Sequence, residues 1–532
     1  MPRSLATPLC VTTTVPVGAR DFNPYDLFRL APPYLSPRFA WRAFDEATTY
    51  IGYGTEAGCG DSWTWDGVSP FERTRRFVRD LSPTCLDAEH RPARWRARWF
   101  GGFAFDPLDP WGGPWTDLAF LGTRFSLPEV QFAVRRGVTR ITALTWVQDE
   151  AALRATLATW VEHVTQLAEA SASLSPCADD PAAPPTSATG HRQRDALDAA
   201  DGADTDNTAD TVNKAGTART IAADRPIDPI LANRLSRALA ALDAGEVAKV
   251  VVATSRTVPC DVADGDMPAL ARAIAAAAPG CTTYIVAPPA NDVEAVWLGA
   301  TPERLVRVRG NRLWTMALAG TARRGATAAE DRALGAALLA SDKDRREHAA
   351  VVDAVRGVLA QVPDLEVSVA PEPRLRRLAT MQHLETPITA RSTSRLDVLD
   401  IARRLHPTPA LAGAPRAAAL DLIARLEPDG RGWYGGGVGW LDGQGDGDIA
   451  VGIRGLLIRE GAATAYAGAG LVAGSDAAAE AREIELKLAA AFGPLQAWAT
   501  ASASSSGDVP RDALAIASAI ASAISSAGEG GQ

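Results

Sequence analysis

From about residue 171 to 223 the chain is built almost wholly of Ala, Asp, Thr, Pro and Ser, with almost no large apolar side chain. Such a stretch cannot bury enough surface to offset the entropy of ordering it. Residues 171–225 are therefore read as a flexible low-complexity insertion, and any compact body must be assembled from 1–170 and 226–497, on either side of it. A second tract, 498–532, is rich in Ser, Ala and Gly and reads as a disordered tail; its apolar piece, 513–524, is too short to span a bilayer.

The 63 acidic against 54 basic residues leave a formal charge of −9, and no Lys/Arg-rich run is present to track a phosphate backbone. Nucleic acid is thus not an expected partner. An anionic small molecule stays open, because the charges lining a site set its field. Cys10, Cys59, Cys85, Cys177, Cys260 and Cys281 form no C-x-x-C pair and have no histidine at zinc-ligand spacing, so each is read as a structural or incidental thiol. With no charged and then apolar leader, and no apolar run of ~20 residues, a cytoplasmic protein without a membrane partner is expected.

The first segment carries most of the tryptophans, strand-like runs at 99–105 and 127–134, and a helix-like stretch at 150–170. In the second, Leu231, Leu235, Leu239 and Leu242 recur at helical spacing before a β-branched strand, 249–258, that starts on Lys249. Strands follow at 281–287 and 296–300, then a hairpin over 304–318 turning at Gly310-Asn311, helices at 327–339 and 344–362, and strands at 449–458 and 463–467. Antiparallel hairpins mixed with helices, without regular βαβ alternation, predict an α+β fold.

Chemistry concentrates near the C-terminal end. On a helix over 475–492, with Ser475 as N-cap, Glu480, Glu483 and Lys487 fall on one face beside Ile484, Leu488 and Ala491, while Glu485 points away. Glu347 shares a face with Val351 and Val355 on another helix. Carboxylates leaning toward a core need a cation, and Mg²⁺ takes oxygen ligands and bridges them to an anionic substrate; the ordinary alternative is a solvated Glu483–Lys487 pair. Gly468-Ala469-Gly470 reads as a turn whose backbone can approach an anion, and Arg454 as a fork for a carboxylate on the preceding strand. The run 468–473 also meets the dinucleotide-binding pattern, which raises a rival oxidoreductase reading; no second parallel strand with a ribose-binding acid follows it. The acidic loop 442–448 is read as a hairpin turn, since a calcium loop would need Glu where Ile453 stands.

Several blocks, in order, resemble the chorismate-utilising enzymes, and among them the isochorismate synthases: Lys249-Val-Val-Val-Ala-Thr-Ser-Arg256, Leu298-Gly-Ala-Thr-Pro-Glu-Arg304, Leu318-Ala-Gly-Thr321, Arg346-Glu-His348, Leu405-His-Pro-Thr-Pro-Ala410, Gly432-Trp-Tyr434 and Tyr466-Ala-Gly-Ala-Gly470. The resemblance implies two large, mainly antiparallel sheets packed as a sandwich with helices outside, and a pocket for chorismate and one Mg²⁺. Glu347 and Glu483 match its metal ligands, with Glu480 as a direct or water-mediated participant. Arg454, Tyr434, Gly468 and Gly470 match the grip on the enolpyruvyl carboxylate, Lys487 a further anion contact, and Ala319, Gly320, Thr321 and His383 other pocket positions. His383 is equally readable as a structural histidine. Lys249 stands where ammonia-using members carry glutamine, which implies water as nucleophile and no glutamine amidotransferase subunit. Lys249 would be the base that activates water at C2, and Glu303 the acid that protonates the departing C4 hydroxyl, so its carboxyl must stay neutral. The product would be isochorismate, for menaquinone or siderophore synthesis, with a salicylate synthase as the alternative within the family.

Overall fold

The computed structural model describes residues 8–17, 22–30, 38–54, 57–61, 69–87, 89–106, 115, 122–145, 149–173, 227–260, 262, 266–287 and 295–505. Apart from its first three residues, which extend the helix Glu150–Ser173, the expected insertion lies outside them, as does the tail beyond Ser505.

Two large sheets dominate the described residues. The larger has twelve strands and runs from a two-residue edge, Gly413–Ala414, through Lys249–Pro259, Ala462–Val472, Gly455–Arg459, Ala295–Thr301 and Thr282–Ala287, then into strands of the first segment starting with Arg38–Arg42. Its pairings are antiparallel except that of Leu9–Pro16 with Cys85–Leu86. The smaller has ten strands and joins the halves where Trp99–Phe103 pairs with Gly437–Leu441. An aromatic core lies between them, with Trp41, Tyr284 and Trp297 from the larger sheet meeting Phe100 and Trp440 from the smaller. Helices such as Ala477–Ser505, whose Ile484, Leu488 and Phe492 are buried, pack on the sheets. The α+β sandwich is therefore present, and residues 1–170 and 226–497 build it jointly.

Local chemistry explains the site-bearing elements. In Lys249–Pro259 the β-branched run Val250, Val251 and Val252 is buried, as a central strand requires. Helix Asp342–Leu359 starts where the Ser341 hydroxyl accepts from Asp344 N, has two acids in its first turn, and buries Val351, Val355 and Leu359 on one stripe. The C-terminal helix is capped by Asp476, whose carboxylate accepts from Ala478 N and Ala479 N at 3.2 Å each, whereas Ser475, expected as the cap, accepts from Val472 N.

Four expectations are corrected. The run 127–134 is two strands, Thr123–Leu127 and Val130–Arg135, with Pro128 between them. The run 449–458 is also two, Gly447–Val451 and Gly455–Arg459, and they belong to different sheets. Ala462–Val472 continues past Ala467, so Gly468 and Gly470 lie within a strand paired to Lys249–Pro259. That antiparallel setting is not the strand-to-helix loop of a dinucleotide fold. Finally, Cys10 and Cys85 form a disulfide, Cα atoms 4.6 Å apart, while Cys260 and Cys281 are buried thiols. Among the described residues no helix is long and apolar enough to cross a membrane.

Candidate active site

Two passages of the chain from one sheet to the other meet at the site. The first runs from Ala295–Thr301 to Arg304–Arg309 and carries Glu303; the second runs from Gly447–Val451 to Gly455–Arg459 and carries Arg454. Val451 N donates to Glu303 O at 2.9 Å, fastening one passage to the other. Arg454, expected on a strand, has φ 52°, a left-handed conformation that is uncommon without a glycine. The surrounding strands hold it there, which is the kind of backbone strain that collects at functional positions.

Beside the passages, Lys249 Nζ donates to Glu347 Oε1 at 2.6 Å. A methyl group on Gly470 would sit 3.0 Å from Lys249 Cε and 3.5 Å from Glu347 Oε1, so the missing side chain makes room for this pair. Lys487 forms a second ion pair, 2.7 Å from Glu483, and donates to Gly468 O at 2.7 Å. The outward-turned Glu485 binds Arg256 with both oxygens, at 2.6 and 2.9 Å. Gly468 and Gly470 are paired with Ala253 and Val251, whose main-chain groups bond away from the shared ladder. The N–H groups of both glycines therefore face the opposite edge, toward Lys487, as the strand repeat requires.

Glu303 is buried, and desolvation pushes its carboxyl up to about 7 against the pull of Arg454, Lys249 and Lys487. Across the site, His383 links two elements: Nε2 lies 2.7 Å from Arg454 Nη2 and Nδ1 3.1 Å from Thr321 Oγ1. A guanidinium only donates, so Nε2 accepts and Nδ1 carries the proton. Burial, then the Arg454 and Lys487 charges, hold this imidazole well below its usual pKa and hence neutral. Thr321 faces His383 because the ladder slips by one residue at Gly320, a bulge with φ 76°, after Ala319 pairs with Leu384. Tyr434 stacks on Tyr466 at 5.3 Å, and a methyl on Gly468 would lie 3.2 Å from its hydroxyl. Burial raises its phenol, and Glu303 adds to the rise.

A family model described as "chorismate binding enzyme" matches residues 5–189 and 185–496, nearly the whole described chain. The chain belongs to the chorismate-binding enzyme family. Over 197 residues it is 51% identical to the salicylate biosynthesis isochorismate synthase of Pseudomonas aeruginosa, a match over 37% of this chain and 41% of that protein. Over 278 residues it is 41% identical to a candidate isochorismate synthase of Mycobacterium tuberculosis, covering 51% of this chain and 74% of that one. The menaquinone-specific isochorismate synthase of Escherichia coli shares the fold, with a TM-score of 0.63 at 24% identity over 92% of this chain and 95% of that chain.

In this chorismate-binding enzyme the three acids read as metal ligands are not gathered as a cage: among the described residues no three His, Cys, Asp or Glu side chains stand close enough to hold an ion. Like charges repel, and Glu347 and Glu483 have each taken a lysine. Yet burial, then Glu483 and more weakly Glu347, push the Glu480 carboxyl up to about 7, against Lys343 and the Ser475 hydroxyl. The three carboxylates thus share one field without forming a ready-made cage. Sequence reasoning passed over Lys343, and also Arg376, which faces both His383 and Arg454 electrostatically. Neither sits in a block that carries the family resemblance, so no local signal marked them.

Proposed function

We propose that the chain is an isochorismate synthase. The observation that carries this is a buried carboxyl near neutrality, Glu303, lying in the field of a buried amine, Lys249. A proton acceptor and a proton donor flanking one bound ring are what an exchange of hydroxyl position needs. Lys249, in its neutral amine form, takes a proton from water as its oxygen bonds to C2 of chorismate; the ring double bonds shift, and the C4 hydroxyl leaves as water on receiving the Glu303 proton. Atoms balance, because one water is gained and one lost. Arg454, aimed by His383 and Thr321, holds the enolpyruvyl carboxylate with Tyr434 and the Gly468 and Gly470 amides, and Lys487 adds a further anion contact. Ala319 and Gly320 would be further positions of the same pocket. Glu347, Glu480 and Glu483 would hold Mg²⁺, which when bound supplies positive charge for the ring carboxylate. Water as nucleophile requires no amidotransferase subunit, and the product suits a menaquinone or siderophore route in the cytoplasm.

Purified protein with chorismate and Mg²⁺ is expected to form isochorismate without pyruvate. Stoichiometric pyruvate and salicylate would replace this reading with a salicylate synthase, and no conversion would end it.

A further inference from the structure

Glu427 and Arg431, one helical turn apart in sequence spacing, form an ion pair whose side chains are only 4% and 2% exposed. Arg431 Nε and Nη2 each reach Glu427 at 2.7 Å, and the guanidinium lies 4.3 Å over the Phe105 ring. What remains of both side chains is spent on backbone. Arg431 Nη1 donates to Leu411 O at 2.9 Å and Nη2 to Val251 O at 2.8 Å, while Glu427 Oε1 accepts from Ala253 N at 2.8 Å.

These contacts lie on the outer edge of the strand that bears Lys249. Its partner there, Gly413–Ala414, pairs with Lys249 and Val250 and goes no further. Beyond it Val251 N bonds Ala412 O, Arg234 donates to Ala253 O, and the ion pair satisfies Val251 O and Ala253 N. A charged pair thus stands in for a missing strand, just past the amine. The same arginine accepts through its carbonyl from Tyr434 N at 3.0 Å. We infer that Glu427 and Arg431 are positioning residues that lock the Lys249 strand and the Tyr434 segment into one register, so that base and carboxylate anchor address the same ring. This rests on the function proposed above.

Removing one member of a buried pair strands the other charge, whereas replacing both by apolar side chains of like volume is often neutral for stability. R431K keeps the charge but replaces the planar fork by a point donor; E427L/R431M keeps the volume. Both are expected to fold, the double variant melting below wild type because Val251 O, Leu411 O and Ala253 N lose their partners, with kcat at saturating chorismate and Mg²⁺ down tenfold or more and amide exchange at Val251 and Ala253 faster. A folded variant with wild-type kcat, or unchanged exchange in R431K, overturns the inference. So does amide exchange that speeds up equally throughout the larger sheet in either variant, which would make the pair structural alone. Exchange needs no substrate, so an inactive wild type sinks the functional proposal and leaves this test standing.

Discussion

Lys249 and Glu303 are both buried, and each makes a separate prediction. Lys249→Gln keeps the shape of the strand start but removes the basic amine; kcat is expected to fall by about 10²-fold or more, the usual worth of a positioned acid or base. Calorimetry should find chorismate binding within a few-fold of wild type, and unchanged turnover would remove Lys249 from the mechanism. For Glu303 the folded state raises the carboxyl from 4.5 to about 7. The neutral form therefore favours folding: its contribution is whole below the unfolded value and is lost as pH rises through about 7. Glu303→Gln mimics the neutral form permanently, so its melting temperature should exceed that of wild type at pH 8 and match it at pH 4. Turnover of wild type should decline through the same upper window, and Glu303→Gln should be inactive throughout. A wild-type kcat/KM that stays flat from pH 6 to 8.5 would count against Glu303 as the acid.

At the scale of elements, the C-terminal helix divides its acids between two tasks. Glu483 faces Lys487 and the other carboxylates, whereas Glu485 is tied to Arg256. Titration with Mg²⁺ should show affinity falling tenfold or more in Glu347→Gln and Glu483→Gln and staying within threefold in Glu485→Gln. Equal losses in all three would reduce the effect to surface charge. Helical period separated these faces in the sequence, because 3.6 residues per turn leave a lasting trace in burial. Strand ends were harder to read. Residues 447–459 are mostly buried on both sides of the step from one sheet to the other, so the lone Arg454 at 452–454 reads as one polar position within a continuous strand. Gly468 and Gly470 work in the opposite sense: glycine reads as a turn, yet both lie inside a strand, where Gly470 makes room beside Lys249 and Gly468 beside the Tyr434 hydroxyl.

Across the whole molecule the two segments are interleaved, not juxtaposed. Arg38–Arg42 pairs with Thr282–Ala287 in one sheet and Trp99–Phe103 with Gly437–Leu441 in the other. Residues 227–505 expressed alone would expose both seams, so we expect aggregation without a cooperative melt, relieved by co-expression with 1–173. A soluble, cooperatively melting fragment would contradict this. The same interleaving limited what could be read beforehand. Lys249 and Glu347 are 98 positions apart, Arg454 and His383 71, Cys10 and Cys85 75. No periodicity spans such distances; family resemblance implied one pocket for Lys249, Glu347, Arg454 and His383 without implying either contact, and nothing announced the disulfide.

Because Glu303 and Arg454 ride on the short spans where the backbone changes layers, the molecule should tolerate length changes very unevenly. An extra residue at the Gly310-Asn311 hairpin would break bonds of the turn, such as Gly310 N to Asp446 Oδ1 and Ser392 N to Asn311 O, none of which involves a site residue. The same addition at 302 or 453 would swing an acid or a guanidinium away from the ring it serves, while leaving every strand able to form.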